Sequence, residues 1–253
     1  MTAPTPTGEG LLFDVAAPPT PVERLLHLAD QYVQHNDMLD RFLRAGSPPP
    51  EPSSHVSSAL QLAAATRAAL KAVTDERLYP SDNLSDAMVR LQQLAFLSSA
   101  SADQQLAVAR TLTGLAPEAA MGCADALAHE IRRRRWTESA GPDHGLTAAQ
   151  HTALREIACG NVVATNSSGR QYVHYRDERV VIGTLRALEA KGLAERVPNS
   201  ASSAYAGGLL RDRVRLTSVG TTTLAAAISS PPAHRPPGMT PAPAPARTAA
   251  YGR

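Results

Sequence analysis

The segment RVVIGTLRALEAKGLAER at residues 179–196 predicts an amphipathic helix that ends at a glycine and runs into a strand. With about 100° of rotation per residue, its large apolar side chains share one side and should face the core: Val181, Ile182, Leu185 and Leu188. Gly192 should end the helix, and Leu193 should return to the core. The opposite side is small and basic, with Gly183, Arg186, Ala187 and Ala190, and with Arg179 and Lys191 at its ends. Whether that side reads DNA or only faces water depends on the rest of the chain.

The residues around this helix predict an alternation of helices and strands. Thr147 and Gln150 have the spacing of a capping box, so they should begin a helix that Gly160 ends. Strand-like composition on both sides of the turn NSSG at 166–169 predicts a hairpin. The other predicted elements are a strand at 212–217, with Val214 and Leu216 on one face and Arg213 and Arg215 on the other, and a helix at 218–228 capped by Thr217.

Residues 21–136 predict an all-helical bundle of about five helices, with Pro21 as the first helical residue. A proline-rich linker at 45–54 separates the first helix from the second. The segment TESAGPDHG at 137–145 is the best domain boundary. The two ends, 1–20 and 229–253, have little to bury and are predicted to be disordered, the second of them as a basic Pro/Ala-rich tail.

Composition and charge divide the chain into an acidic front and a basic back. Aromatic residues make up only 4% of the 253 residues, so the core must be built from leucine, alanine, valine and isoleucine. Residues 1–144 hold 12 basic and 17 acidic residues, residues 145–228 hold 10 and 6, and residues 229–253 hold 3 and 0. This split suggests that only the back half meets a polyanion, although chance produces excesses of this size on many domains.

The sequence also argues against several classes of protein. Cys123 and Cys159 have no ligand-like spacing, so we expect no disulfide framework and a cytoplasmic location. Residues 1–20 show no signal-peptide pattern, and no window approaches the roughly 18 consecutive apolar residues of a membrane span. His129 and Glu130 lack the second histidine of a zinc protease, and His27 and Asp30 share a helix face without a third ligand.

Motifs of catalysis and cofactor binding are missing as well. The chain has no Walker loop, no G-x-S-x-G elbow and no dinucleotide fingerprint. We therefore expect no enzyme activity, no cofactor, no metal ion and no membrane partner.

Three pieces of the back half together resemble the winged helix-turn-helix domain of MarR-type transcriptional regulators. They are LTAAQHTALREIA from residue 146, IGTLRALEAKGLAERV from residue 182 and RDRVRLTSVG from residue 211. In that family the first piece begins the domain, the second carries the recognition helix, and the third forms the second wing strand and the start of the last helix. The resemblance covers about residues 146–228, so the predicted fold class is mainly α, with a helical bundle at 21–136 followed by a winged-helix α+β domain. The front half resembles no family that we can name.

The resemblance implies a bacterial-type DNA-binding regulator of transcription that binds double-stranded DNA as a homodimer. The front helices would then serve for dimerisation, or would bind a protein partner or a signal. Arg186 is the best candidate for a base contact, because arginine can bond guanine with two hydrogen bonds, and Thr184 is second. The candidates for phosphate contacts are Arg170, Arg176, Arg179 and Lys191 around the helix, and Arg211, Arg213 and Arg215 along the wing.

Other interpretations of the same residues stay open. An arginine on an exposed helix face is often only a solvated charge, and a winged helix can serve as a protein-binding module in a non-enzymatic adaptor. The run RRRR at 132–135 can grip phosphate, or it can place cations at a helix C-terminus, where the helix dipole favours them.

Overall fold

The computed structural model describes residues 18–45, 53–134, 145–167, 169–202 and 208–230. Within these ranges the chain is mainly helical, with a small four-stranded antiparallel sheet. The predicted linker at 45–54 is shorter than expected, because Ala45 still belongs to the first helix and Ser53 begins the second. Most residues of the predicted tails and of the 137–145 boundary lie outside the described residues.

In its described residues the front half forms five helices, which agrees with the prediction of about five from the periodicity. Thr20 and Glu23 cap the first of them reciprocally, since the Glu23 carboxylate accepts from the Thr20 N–H at 2.7 Å and the Thr20 hydroxyl accepts from the Glu23 N–H at 3.2 Å. Ser81 caps the third by accepting from the N–H of Leu84. The helices are α1 at Pro21–Ala45, α2 at Ser53–Asp75, α3 at Asp82–Ser101, α4 at Leu106–Thr113 and α5 at Ala116–Arg134.

The back half confirms the predicted hairpin and both predicted caps. Thr147 and Gln150 form the capping box, and Gly160 follows the helix at φ +74°, where a side chain would be strained. Thr217 caps the last helix by accepting from the Gly220 N–H. The elements are α6 at Ala148–Ala158, β1 at Val163–Ser167, β2 at Arg170–His174, α7 at Ile182–Ala190, β3 at Ala194–Ala201, β4 at Arg211–Leu216 and α8 at Ser218–Ser229.

The sheet has the strand order β2-β1-β4-β3, with every neighbouring pair antiparallel. The β1–β2 hairpin occupies the chain between α6 and α7. These two helices therefore do not form the pair joined by a short turn that a helix-turn-helix requires.

Helix α1 packs against both halves of the chain. It contacts α2, α4 and α5 on the bundle side, and α6, α8 and β3 of the back half. A single apolar cluster consequently runs from Leu25 and Tyr32 of α1 through Leu154 of α6 to Leu185 of α7. Because the two predicted domains share this cluster, we expect a fragment that begins after residue 137 to expose apolar surface that the whole chain buries.

Within the described ranges, four ion pairs join the acidic front half to the basic back half. Two come from α1, where Asp30 accepts from Arg215 Nε at 2.7 Å and Asp37 accepts from Arg213 Nε at 2.8 Å. The other two come from α5, where Glu118 accepts from Arg176 and Asp125 accepts from Arg155. The basic excess of the back half is therefore partly neutralised inside the molecule, because arginines of the back half pair with carboxylates of the front half.

None of the helices in the described ranges combines the length and the hydropathy that a bilayer crossing requires.

A buried histidine on α1 makes stability depend on pH. His35 is only 2% exposed, and its Nδ1 lies 2.8 Å from the Ser58 hydroxyl. Burial, with smaller contributions from the charges of His55 and Arg110, lowers the pKa of His35 from 6.5 to about 4. The stability that this neutral histidine contributes is fully present above the unfolded pKa and is lost as pH falls toward the folded value.

We therefore expect the free energy of unfolding to fall by about 2 kcal/mol between pH 7.5 and pH 5 through His35 alone. Urea unfolding at the two pH values measures the change, and His35→Gln is the control that should remove about this much of the pH dependence. An equal pH dependence in the variant and the parent would contradict the assignment.

Candidate nucleic-acid interface

Helix α7 is anchored by its apolar side, largely as predicted. Leu185 and Leu188 are fully buried, and Ile182 packs against the same core. The prediction was wrong for Val181, which is 43% exposed, whereas Val180 is 3% exposed and occupies the core. Val181 precedes the helix with an extended backbone at φ −90° and ψ 150°, so the helical periodicity does not apply to it.

Two glycines set the position of α7 relative to the following strand. Gly192 has φ +67°, which lets the chain reverse at the end of the helix and return Leu193 to the core. Gly220 of α8 lies against the Leu193 carbonyl, since a Cβ built on Gly220 would stand 1.9 Å from that oxygen. The final glycine of the motif RDRVRLTSVG therefore has a packing role, because only glycine allows α8 to approach this closely.

The outer side of α7 offers little bulk. Gly183, Arg186 and Ala190 are exposed and Thr184 is half-buried. A Cβ added at Gly183 would meet nothing within 4 Å. The Arg186 guanidinium donates from Nη2 and Nε to the Gln171 side-chain oxygen at 3.1 and 3.3 Å. This contact sets the tip of the β1–β2 hairpin, with Arg170 next to Gln171, beside the outer side of the helix.

Four cations at this surface lack a carboxylate partner within the described residues. The side chains of Arg170 and Arg179 are exposed and make no hydrogen bond or ion pair there, while the Arg186 side chain bonds only the neutral Gln171. Lys191 donates to the Gly145 carbonyl at 3.0 Å and to Gln150 at 3.3 Å. In addition, the N-terminus of α7 has no side-chain cap, so its N–H groups remain open to an acceptor. We call the outer side of α7 together with Arg170, Arg179 and Lys191 the basic surface.

Arg179 reaches this surface by a different route than predicted. It lies three residues before the start of α7, so it does not stand at the end of the outer side of the helix, as the sequence predicts. Its exposed side chain nevertheless belongs to the segment that leads directly into the helix.

The remaining candidates lie elsewhere or are engaged. Arg176 pairs with Glu118 at 2.8 Å, although its side chain remains more than half exposed. Arg211 is half-buried near His174, where burial and then the charge of Arg211 lower the pKa of His174. Arg213 and Arg215 alternate with Val214 on β4, so they point away from the core side of the sheet and toward α1, where they pair with Asp37 and Asp30.

The arginine run at the end of α5 is bound within the protein as far as the structure describes it. Arg132 donates to the Ile228 carbonyl, Arg133 pairs with Glu130 at 3.0 Å, and Arg134 donates to the Glu76 carbonyl at 3.2 Å. These contacts favour the interpretation of a helix C-terminus that holds cations for structural reasons. Arg135 lies outside the described residues.

Three residues of the hairpin and the segment that follows it were missed by the sequence reasoning. Gln171 bonds Arg186, while Tyr172 of β2 and Tyr175 just after that strand are exposed large side chains. Side chains alternate between the two faces of a strand, so Gln171 lies on the same face as Val173, which packs against the core. This alternation could have predicted that Gln171 faces α7. No group of three or more histidine, cysteine or acidic side chains that could hold a metal ion occurs in the part of the chain that the structure describes.

Comparisons with protein-family models, with curated proteins and with solved structures found no match for this chain.

Proposed function

We propose that this protein binds double-stranded DNA through the basic surface and acts in the cytoplasm as a non-enzymatic, winged-helix regulator of transcription. One observation carries the proposal: Arg170, Arg179, Arg186 and Lys191 have no carboxylate partner among the described residues and surround a helix whose outer side is small. Small side chains let a helix approach the floor of the major groove, and unpaired cations supply the attraction to phosphate.

The four cations have different roles in this proposal. Arg186 stands near the middle of α7 and exchanges Gln171 for the edge of a guanine, while Thr184 offers a second, weaker base contact. Arg170, Arg179 and Lys191 lie around the helix and contact phosphates, as does the uncapped N-terminus of α7. Arg213 and Arg215 are left out, because DNA would have to displace Asp37 and Asp30 to reach them.

The proposal includes a homodimer, because a nine-residue helix contacts only a few base pairs of DNA. Two copies would double the number of base pairs that the protein recognises. The front half offers surface for this contact, since Val89 and Phe96 of α3 are exposed. The mass of the DNA complex, measured by light scattering, gives the number of copies.

The first test uses the full chain, because the core is shared between the halves. Duplexes selected from a genomic pool should bind with an affinity that falls steeply as salt rises. Arg186→Ala should cost about 1–3 kcal/mol on the preferred duplex and narrow the difference between sequences. The pair Arg170→Ala and Arg179→Ala should weaken all sequences alike and reduce the slope of log affinity against log salt by about 0.9 for each phosphate that the variant no longer neutralises.

Arg24→Ala is the matched control, since Arg24 is an exposed arginine on α1 outside the basic surface and donates to the Pro19 carbonyl at 3.1 Å. It should change neither the affinity nor the slope. Binding without salt dependence, or an Arg186→Ala variant that behaves like Arg24→Ala, would refute the assignment of the surface.

A second function is favoured by the apolar side chains of the same region. Tyr172 of β2, Tyr175 just after that strand and Val181 just before α7 are exposed, and aromatic side chains are enriched at protein interfaces. Asp177 and Glu178 also place negative charge between the hairpin and the helix. An adaptor would bind a protein partner through these residues. Failure of the full chain to bind any duplex at low salt would favour this function over DNA binding. Photo-crosslinking from position 172 would then identify the partner.

A further inference from the structure

Helices α2 and α3 carry large apolar side chains on the sides that face away from the core. The two helices are joined by residues 76–81 and pack along each other. Val89 and Phe96 of α3 are exposed and lie seven residues apart, so two helical turns bring them to nearly the same side. Leu60 of α2 is exposed as well and has the same spacing to Arg67. Each helix therefore presents one stripe to solvent that includes large apolar side chains.

A hollow of about 400 Å³ lies beside Phe96, between α2 and α3. Phe96 forms one of its walls, and the apolar part of its lining also comes from Leu70 of α2 and from Ala95 and Ala100 of α3. The surface thus has an exposed aromatic side chain directly next to a cavity with apolar walls. Such a surface can pack on itself, because a two-fold axis places the ring of each copy at the hollow of the other.

The charges at the hollow fit a contact between two identical copies. Residues 91–102 contain no charged side chain, so the middle of α3 does not repel itself across a two-fold axis. Two opposite charges line the hollow, Arg67 of α2 and Asp103 just after α3. Both are exposed, and neither side chain forms a hydrogen bond or an ion pair within the described residues. A second copy can therefore supply the opposite charge for each of them.

The other carboxylates, lysines and arginines of α2 and α3 are paired or lie away from the hollow. Lys71 and Asp75 of α2 pair with each other at 2.7 Å. Asp86 and Arg90 line the groove on the α5 side of α3. Asp82 is the first residue of α3, about four helical turns before the hollow. Arg67 and Asp103 are consequently the charges that a contact at the hollow would bring together.

We propose that two copies of this chain bind each other through the α2–α3 surface, which we define by Leu60, Arg67, Val89, Phe96 and Asp103. Phe96 of each copy fills the hollow of the other, and Arg67 of each copy pairs with Asp103 of the other. The two pairs of helices then pack as four helices. The inference rests on the homodimer of the proposed function but not on its DNA contact, because none of these residues belongs to the basic surface.

The test measures self-association of the full chain without DNA, by sedimentation equilibrium over a range of protein concentrations. The parent should reach about twice the 26.7 kDa of one chain. Its unfolding temperature should rise with concentration, since association stabilises the folded state. Phe96→Ala should weaken association about tenfold or more, because a few aromatic side chains at the centre of an interface carry most of the binding energy.

Leu115→Ala is the matched control for Phe96→Ala. Leu115 is 67% exposed between α4 and α5, compared with 71% for Phe96, and it should leave the association unchanged. Because both side chains are exposed, neither substitution removes a core contact.

Charge reversal tests the pairing of Arg67 with Asp103. Arg67→Glu and Asp103→Arg should each weaken association about fivefold, because the two-fold axis repeats the resulting like-charge contact. The double variant restores opposite charges and should recover the association of the parent.

Three results overturn the proposal: the parent stays monomeric at every concentration, Phe96→Ala associates as well as the parent, or the double reversal associates no better than the single variants. A dimer that binds no duplex contradicts the DNA contact alone, whereas a monomer that binds duplexes contradicts the dimer alone.

Discussion

Replacing Asp37 by alanine should lower the free energy of unfolding by about 4 kcal/mol, because it leaves a buried guanidinium without its counter-ion. The side chains of Asp37 and Arg213 are only 8% and 14% exposed. Arg213 donates to Asp37 from Nε at 2.8 Å and from Nη2, and its Nη1 donates to the Gly160 carbonyl. Without the carboxylate, two nitrogens of Arg213 lose their acceptor while only 14% of the side chain is exposed to water.

Urea unfolding monitored by circular dichroism measures this loss. Asp75→Ala is the matched control, since Asp75 pairs with Lys71 on α2 with both side chains largely exposed, and it should cost less than about 0.5 kcal/mol. The double variant Asp37→Leu with Arg213→Met removes both charges and should recover most of the stability. An Asp37→Ala loss as small as that of Asp75→Ala would show that the pair does not hold α1 to the sheet.

Gly220→Ala should destabilise the protein by about 3 kcal/mol, because it forces a methyl group against the backbone carbonyl of Leu193. The added Cβ would stand 1.9 Å from the Leu193 oxygen and 2.9 Å from its carbonyl carbon, so α8 or the start of β3 must move. A backbone carbonyl cannot rotate away as a flexible side chain can. The displacement would reach α7 as well, since Leu193 follows that helix directly after Gly192.

Gly183→Ala on α7 provides the control for this substitution. Gly183 is helical too, but a Cβ there meets nothing within 4 Å, so alanine should stabilise the helix by up to about 1 kcal/mol. Thermal unfolding of both variants separates the packing effect from the helix propensity. If Gly220→Ala unfolds at the same temperature as Gly183→Ala, the close approach of α8 to Leu193 is not a constraint on the fold.

The features that could be predicted from the sequence depend on residues a few positions apart. The capping box of Thr147 and Gln150, the reversal at Gly192 and the hairpin around 166–169 follow from local hydrogen bonds and backbone preferences. The wrong prediction for Val181 also came from a local signal. Helical periodicity was applied one residue before the helix begins, and boundaries are where local signals are weakest.

Local signals could not predict which arginines form ion pairs and which remain available to bind a polyanion. The basic excess of residues 145–228 suggested one surface for a polyanion, yet five of its arginines form ion pairs: Arg155, Arg176, Arg196, Arg213 and Arg215. Arg213 meets Asp37 across 176 positions of sequence, and Arg215 meets Asp30 across 185. No pattern along the chain identifies such partners, because only the tertiary packing brings α1 next to the sheet.

The sequence by itself determined the order of the helices and strands, the caps, and the placement of small residues and Arg186 on one side of α7. Propensity, capping and periodicity act within one or two turns of the chain, so the sequence contains them in readable form. Only the tertiary structure decided which charges are engaged. It turned Arg213 and Arg215 toward α1 and left Arg170, Arg179, Arg186 and Lys191 without carboxylates among the described residues. The physical reason is that the state of a charge depends on which groups lie within a few ångströms of it, and packing brings those groups together from distant parts of the chain.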